Sequence, residues 1–529
     1  MFSLSRLRLF PQRSTKLVGS LKGNDIASTY ESTAAEEPAR GTWIVSRSSF
    51  ATRLRCMKTK VAIVGGGLAG LSSAAHLLLA AAEQYEIHVF ESAPMLGGQC
   101  ASWLDAKGRP VETGIHLDFP WYHNKDALFA AIGHPLPLKE TDGNYYVCNG
   151  QTGQIDTLLA GKSVLKTLRG LATFPGLTPT ERLQLTGFIF RLMRMDDRMA
   201  ESFDHLSVTQ FLLDQKLSAG IRQQLALEAV TIQGLRPEEA SAASFIKFLR
   251  TMYGSMGIFD TTFFGAPLGD ALVDPLADFI TRHGGHIHLE TAIKRVTPAT
   301  ASPARMTTTA GVTHEADHVI FAVPGYAVPA LLPAELRTTS PFAALADLKE
   351  TPIITITLWY ATKVFTDGNV YISPRDREHG PIFDAVADKA FHWKDWPKLK
   401  AEGSIIQVLI DAADDVLHLS DAEILAKVSQ DLARFFPHCR GQAPIDATVL
   451  RLKNTYCGTR VGYWSKVPRK HQTGLPGLWL AGDYTAGVYH YGMESAIISG
   501  KAVANELLRE INHAGFEILR PRYLPFVRV

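Results

Sequence analysis

The stretch "VAIVGGGLAGLSSAAHLL", residues 61 to 78, constrains the fold of this chain more than any other. An apolar run from Val61 to Val64 enters Gly65-Gly66-Gly67-Leu68-Ala69-Gly70. An Ala/Leu-rich helical pattern follows over Ala69 to Ala82, then a second strand pattern, "EIHVFES". Buried strand, glycine turn, helix and strand make a β-α-β unit. In it Gly65 permits the tight turn, Gly67 lets the backbone approach a pyrophosphate, and Gly70 lets helix and strand pack closely. The amides of the helix N-terminus then face the phosphates. Glu91 follows Gly70 by 21 residues at the end of the second strand, where a carboxylate accepts both ribose hydroxyls. The glycine pattern alone is weak evidence. Together with the strand, the helix and the placed acid it predicts a dinucleotide-binding domain, and the second glycine pair, Gly97-Gly98, suggests FAD, which is long enough to touch more of the chain than one such unit.

The rest of the chain must build more than that domain. Its 529 residues are too many for one ordinary core. With 54 Lys plus Arg against 52 Asp plus Glu, the net charge of +2 gives no global field for nucleic acid. Five scattered cysteines (Cys56, Cys100, Cys148, Cys439, Cys457) contain no CxxC pair and argue against a disulfide framework or a zinc site. No window approaches 18 uninterrupted apolar residues, so no membrane-spanning helix is expected. Residues 1–57 begin with Arg6, Arg8, Arg13, Lys16 and Lys22 among serines. They read as an organelle transit peptide, a disordered extension, or an over-long start before Met57.

Pattern divides the remainder into a first FAD-binding segment (58–155), a helical substrate and membrane-contact lobe (156–265), a second FAD-binding segment (266–325), a substrate-domain sheet (326–450), a third FAD-binding segment (451–515) and a tail (516–529). The lobe is helical with breaks at "FPGLTP" and "GLRPEEA". Strands are expected in "GGHIHLETAIKRVTP", "HEADHVIFAVPG", "PIITITLWYATKVF", "NVYISP" and "SIIQVLIDAA". "GLWLAGDY" followed by "GMESAIISGKAVANELLREI" is one more strand and helix.

These stretches are recognisable together. "ETGIHLDF", "HLSVTQFLLDQ", "YGSMGIFD", "GDALVDPLADFITRHGGHIHLETAI", "ADHVIFAVP" and "GLWLAGDYTAGVYHYGMESAIISGKAVA" resemble the flavin-dependent amine oxidase superfamily. The closer likeness is to its branch of plant-type phytoene and ζ-carotene desaturases, over most of residues 58 to 508. The resemblance implies an α/β fold with a Rossmann-like FAD-binding domain (GR2-type) assembled from discontinuous segments, and an inserted substrate domain of mixed sheet plus helical lobe. It also implies a cofactor set of Gly65, Gly67, Leu68, Ala69, Gly70, Glu91, Ser92, Gly97, Gly98, Gln99, Val296, Gly482, Asp483, Gly492, Met493 and Glu494. Asp483 would face the ribityl and phosphate side of FAD, and the helix beginning at Gly492, Met493 and Glu494 would point its amides at the flavin ring. Gln99 departs from the pattern, since relatives usually carry Arg or Lys there. Cys457 lies roughly where some amine oxidases attach flavin covalently; the desaturase likeness implies non-covalent FAD.

The implied reaction is dehydrogenation of a long polyisoprenoid hydrocarbon by hydride transfer to flavin. Such a site needs an apolar tunnel more than strong acids and bases. Catalytic candidates are Lys247 and Arg250, which share a helix face, and His116; each has an equally simple reading as a surface charge or a structural histidine. No metal-ligand spacing, nucleophile elbow or nucleic-acid module is present. Lys162, Lys166, Arg169, Arg182, Arg191, Arg194 and Arg198 alternate with Phe174, Phe188, Phe190, Leu192 and Met193, which suits a helix lying on anionic lipid, or an ordinary amphipathic lobe. The expected partners are a lipophilic substrate, a quinone electron acceptor and a membrane surface. The expected location is peripheral on a membrane, in a plastid if the chain is eukaryotic with a transit peptide, and otherwise on the cytoplasmic face of a bacterial membrane. Other readings of the same site are a hydroxysqualene dehydroxylase-like enzyme, an amine oxidase with Trp464, Tyr484 and Tyr489 flanking the ring, or a flavin-carrying lipid-binding protein without turnover.

Overall fold

A computed structural model describes residues 58–158, 169–170, 172–173, 176–255, 261–299, 303–373, 380–400, 402–485 and 492–528. Lys162, Lys166, Phe174, Tyr489, His490 and Tyr491, and the side chain of Cys457, lie outside these.

Strand β1 (Thr59–Val64) pairs in parallel with β2 (Tyr85–Phe90) on one side and with His318–Phe321 on the other. His286–His288 extends the sheet beyond β2, and Leu478–Leu480 extends it beyond His318–Phe321. The chain thus reverses direction across the sheet next to β1, the switch point at which parallel α/β sheets bind ligands. Alternation along β1 explains why it is central. Val61 and Ile63 face helix α1 (Leu68–Ala81) and the terminal helix Met493–Glu510, while Ala62 and Val64 face a layer containing Val296, Met306 and Phe342. Both faces are covered, as a parallel sheet requires.

A three-stranded antiparallel sheet (Ile293–Thr297, Ala304–Thr308, Thr313–Ala316) forms part of that second layer. The substrate-domain sheet has seven strands and is larger than the sequence pattern suggests. Glu350–Trp359 pairs with Ile405–Ile410 and with the twelve-residue Asp446–Cys457, so the expected boundary after residue 450 falls inside a strand. The hairpin Tyr145–Asn149 and Gln154–Leu158 forms its far edge, so the chain enters this sheet before the expected boundary at 155. Helices Pro179–Met193, Val208–Asp214, Ala219–Gln233 and Ala242–Gly254 supply a separate core around Phe188, Phe211, Phe245 and Leu249. The first of them opens with a capping box between Thr178 and Glu181.

The stretch expected to be a plain tail works as a strap. Leu519 N–H donates to Asn124 Oδ1 at 3.0 Å, Leu524 N–H to the Gly254 carbonyl at 2.8 Å and Arg528 N–H to the Met193 carbonyl at 3.0 Å. It thereby ties the FAD-binding layers to the helical lobe.

Helix α1 and the terminal helix cross at closest approach. A β-carbon at Gly500 would stand 2.4 Å from the Ala69 carbonyl oxygen and 2.8 Å from Ser72 Cβ, and the Ser72 hydroxyl donates to the Ile497 carbonyl at 2.8 Å. Gly500→Val therefore separates the two helices. The expected result is a loss of roughly 2–3 kcal/mol of stability together with loss of bound flavin, read by thermal melting and absorbance of the purified protein.

Candidate cofactor and substrate site

At the carboxyl end of β1 the backbone turns through Gly65 at φ +117°. A β-carbon there would lie 2.5 Å from the Ala322 carbonyl oxygen, so the turn admits only glycine. At Gly70 the β-carbon would lie 2.1 Å from the Gly65 carbonyl oxygen, inside the same turn. Gly67 differs from both. No atom lies within 4 Å of its β-carbon position, so bare backbone borders open space at the N-terminus of α1, the cradle a pyrophosphate needs. Leu68 and Ala69 fill the buried first turn behind it.

The second glycine pair is joined to the first. Gly97 N–H donates to the Gly66 carbonyl at 2.9 Å, and the β-carbon position of Gly98 lies 3.6 Å from Gly67 Cα. Half-buried Glu91 closes the loop: its Oε2 accepts from Gly66 N–H at 2.9 Å, and its Oε1 from Ala93 N–H at 2.8 Å and the Ser92 hydroxyl at 3.1 Å. Gln99 is exposed, and its carbonyl accepts from the Thr113 hydroxyl. Val296 is fully buried, opposite Met306 in the antiparallel sheet.

The other end of the site comes from the last strand and helix. Gly482 N–H donates to Ser499 Oγ at 2.9 Å, which fixes the exit of Leu478–Leu480 against the terminal helix. Burial pushes the Asp483 carboxyl up to about 6, opposed by hydrogen bonds from the backbone N–H groups of Gly492 and Tyr484. Gly492 turns at φ +97° into half-buried Met493 and the helix.

Glu494 has a role that the sequence does not suggest. Its Oε1 accepts from Asn124 N–H at 2.7 Å and Asn124 Nδ2 at 2.8 Å, and its Oε2 from Lys125 N–H at 2.9 Å. The carboxylate thus caps the helix His123–Ala131, and only the backbone of Glu494 is left for a cofactor.

Two of the three catalytic candidates have structural partners. Lys247 is paired with Glu201 at 2.6 Å and lies over the Trp464 ring at 3.5 Å. Arg250 is paired with Asp197 at 2.5 Å and donates to the Met195 carbonyl at 3.0 Å. Both are buried in the lobe, where unpaired charge is costly, and both tie the helix Ala242–Gly254 to Asp197–Glu201. Trp464 donates to Ser244 Oγ at 3.0 Å, and Tyr484 packs under Gly325. His116 lies in the segment joining the short strands Pro110–Glu112 and Leu117–Asp118. Burial, then the neighbouring Lys389 ammonium, lower its imidazole to about 3, so it is neutral at ordinary pH.

Sequence reasoning missed three groups here. Glu112 and Lys389 form a buried ion pair at 3.2 Å, and Glu112 Oε1 also accepts from Leu268 N–H at 2.7 Å. Glu350 begins the long strand, and its Oε2 is buried with no hydrogen-bond partner among the described residues. Burial first, then the Asp483 charge, push its carboxyl up to about 8. Nothing local marks these residues, because each acquires its role from a partner far along the chain.

This architecture, with both glycine pairs joined at the carboxyl end of β1 and open space at Gly67, is that of an FAD-dependent oxidoreductase, and FAD is its cofactor. The chain belongs to the flavin containing amine oxidoreductase family, whose model matches residues 68–508. It is 25% identical to the 15-cis-phytoene desaturase of an Oncidium hybrid cultivar over 484 residues, 88% of this chain and 80% of that protein. It is 24% identical to the zeta-carotene desaturase of Arabidopsis thaliana over 511 residues, 86% of this chain and 87% of that protein. Both relatives are named as chloroplastic/chromoplastic. Among solved structures, an oxidoreductase from Methanosarcina mazei shares the fold with a TM-score of 0.66 at 18% identity, covering 84% of this chain and 99% of its own. The family and the fold make the chain an FAD-dependent oxidoreductase, the expectation drawn from the sequence.

Two outcomes test the site. The β-carbon of Gly67→Val meets no protein atom within 4 Å, so the variant is expected to fold with a normal melting temperature yet purify without flavin colour. For Glu350 the folded carboxyl titrates above the unfolded one, so the neutral acid favours the fold at low pH and the advantage disappears as pH rises toward about 8. Glu350→Gln should therefore gain thermal stability relative to the parent as pH goes from 6 to 9, by roughly a few degrees. A difference that stays flat over that range would show that Glu350 does not titrate there.

Proposed function

We propose that this flavoprotein desaturates a long polyisoprenoid hydrocarbon of the phytoene or ζ-carotene kind and passes the electrons to a membrane quinone. The observation that carries the reading is the extent of the likeness. Similarity to the desaturases runs along 88% of the chain and includes the lobe and the large sheet as well as the nucleotide segments. FAD, when bound, accepts the hydride. The residues of this chain hold it, through the Gly65–Gly70 turn, Gly97-Gly98 and the N-terminus of the terminal helix, and close the space around it. Neutral His116 stands in the joining segment as the candidate to take the proton. A weak base suffices there, since a carbon next to an allylic cation loses its proton readily.

An amine substrate is the less favoured reading. The Trp464 face, which could hold a substrate ammonium, already carries the Lys247 ammonium.

Membrane contact belongs to the same proposal. No helix among the described residues is long and apolar enough to cross a membrane. Leu183 is 75% exposed and Phe190 46% exposed on one face of Pro179–Met193. Phe526 of the strap, 49% exposed, lies 5.6 Å from the Phe190 ring. Exposed Arg191 and Arg194 flank them, the mixture that suits an anionic lipid surface in a plastid or on the cytoplasmic face of a bacterial membrane.

Mixing the FAD-loaded protein anaerobically with phytoene, hydroxysqualene or amines should bleach the flavin with phytoene. Bleaching by amines alone would overturn the desaturase reading, bleaching by hydroxysqualene alone would point to a dehydroxylase, and bleaching by none to a carrier. Co-sedimentation with anionic liposomes should fall about tenfold in Leu183→Ser/Phe190→Ser, and an unchanged value would remove the membrane surface from the proposal.

A further inference from the structure

Strands β1, His318–Phe321 and Leu478–Leu480 run in parallel, so the residues that follow each of them gather at one edge of the sheet. Gly65–Gly70 follows the first, Gly325 and Tyr326 the second, and Asp483 the third. The Gly325 β-carbon position lies 3.0 Å from the Tyr484 ring and 3.1 Å from the Leu348 side chain. Leu348 leads within two residues into Glu350, the first residue of the long strand Glu350–Trp359. The large sheet therefore begins against the carboxyl edge of the parallel sheet, and Glu350 is the acid it brings there.

The only charge acting on Glu350 among the described residues is that of Asp483. The other titratable neighbour is the Tyr326 hydroxyl, which burial and then Glu350 push up. No basic side chain pairs with Glu350 among the described residues, and its buried Oε2 has no hydrogen-bond partner. Other buried acids of these layers are satisfied: Glu112 by Lys389 and the Leu268 N–H, Glu494 by Asn124 and the Lys125 N–H. A buried acid without a cation stays protonated near neutral pH, and a protonated carboxyl is a donor that needs an acceptor. Native interiors leave few such groups unmatched. Along its ribityl and phosphate stretch FAD offers oxygens as acceptors. The Asp483 charge also acts on Cys100, in the turn after Gly97-Gly98, so this one carboxyl is within electrostatic reach of both the second glycine pair and Glu350.

We propose that Glu350 is a cofactor-binding residue whose protonated carboxyl donates a hydrogen bond to an oxygen on the ribityl and phosphate stretch of FAD. The contact is additional to those of the glycine turns and Asp483, and it does not depend on which substrate is oxidised. It also ties cofactor affinity to pH. Burial and Asp483 hold the carboxyl at about 8, and the phosphates of FAD hold it higher still. Above that range the ionised residue has lost the proton it donates and repels the phosphates, so affinity falls as pH rises.

FAD-loaded protein is diluted at pH 7, 8 and 9, and released flavin is followed by its fluorescence to give a dissociation constant at each pH. In the parent the constant should rise roughly tenfold from pH 7 to pH 9, the linkage of one proton. Glu350→Gln keeps a donor that does not titrate, so it should hold the parent's pH 7 value within about twofold throughout. Glu350→Leu has no donor and should bind about tenfold more weakly at pH 7, the worth of one well-made buried hydrogen bond, with no pH dependence. Parent affinity at pH 7 in a folded Glu350→Leu would overturn the contact. So would a flat profile in the parent, or a pH dependence that persists in Glu350→Gln, and these two outcomes decide the matter even if Glu350→Leu does not fold.

Discussion

The crossing of the first and last helices of the folded chain is the contact on which the rest depends. Gly500 lets the terminal helix reach the backbone of Ala69, and Ser72 fixes the crossing with a hydrogen bond to Ile497. Because α1 starts at the Gly65–Gly70 turn and the terminal helix starts at Gly492, this one contact sets the distance between the pyrophosphate end and the flavin end of the site. More than 400 residues lie between them, and closing so long a loop carries a large entropic cost. Extensive apolar burial on both faces of the parallel sheet offsets it.

Buried charge does the second part of the work. Glu494 reaches from the terminal helix to cap His123–Ala131, and Lys501 from the same helix donates to Asn124 Oδ1 at 2.9 Å. Glu112 and Lys389 join the nucleotide-binding layers to the large sheet in the same way. Lys247 and Arg250 bind the lobe to itself. Each pair fixes a register that apolar packing alone leaves loose, since breaking either partner strands a charge in the interior.

Much of this was legible in sequence. The β-α-β unit around Gly65, Glu91 at the end of β2 and the final strand and helix stand close to where their local patterns place them, because each is specified by residues a few positions apart. The hairpin at Tyr145–Leu158 and the long strand Asp446–Cys457 were not legible as parts of the large sheet, since membership in a sheet is decided by a partner strand and not by the strand itself. The pairing of Lys247 and Arg250 is not legible for the same reason: spacing shows that they share a helix face, and says nothing of Asp197 and Glu201 waiting opposite.

The sequence by itself determined the cofactor class, because a phosphate turn is a local object made by glycines whose absent side chains leave room for it. It determined the family through motifs that each run over one element or a few consecutive ones. Only the tertiary structure decided which carboxylates are structural and which stand unpaired, and that the last residues strap the lobe to the cofactor layers. Those properties depend on contacts between residues hundreds of positions apart, where burial and electrostatics act through space and leave no mark on the neighbouring sequence.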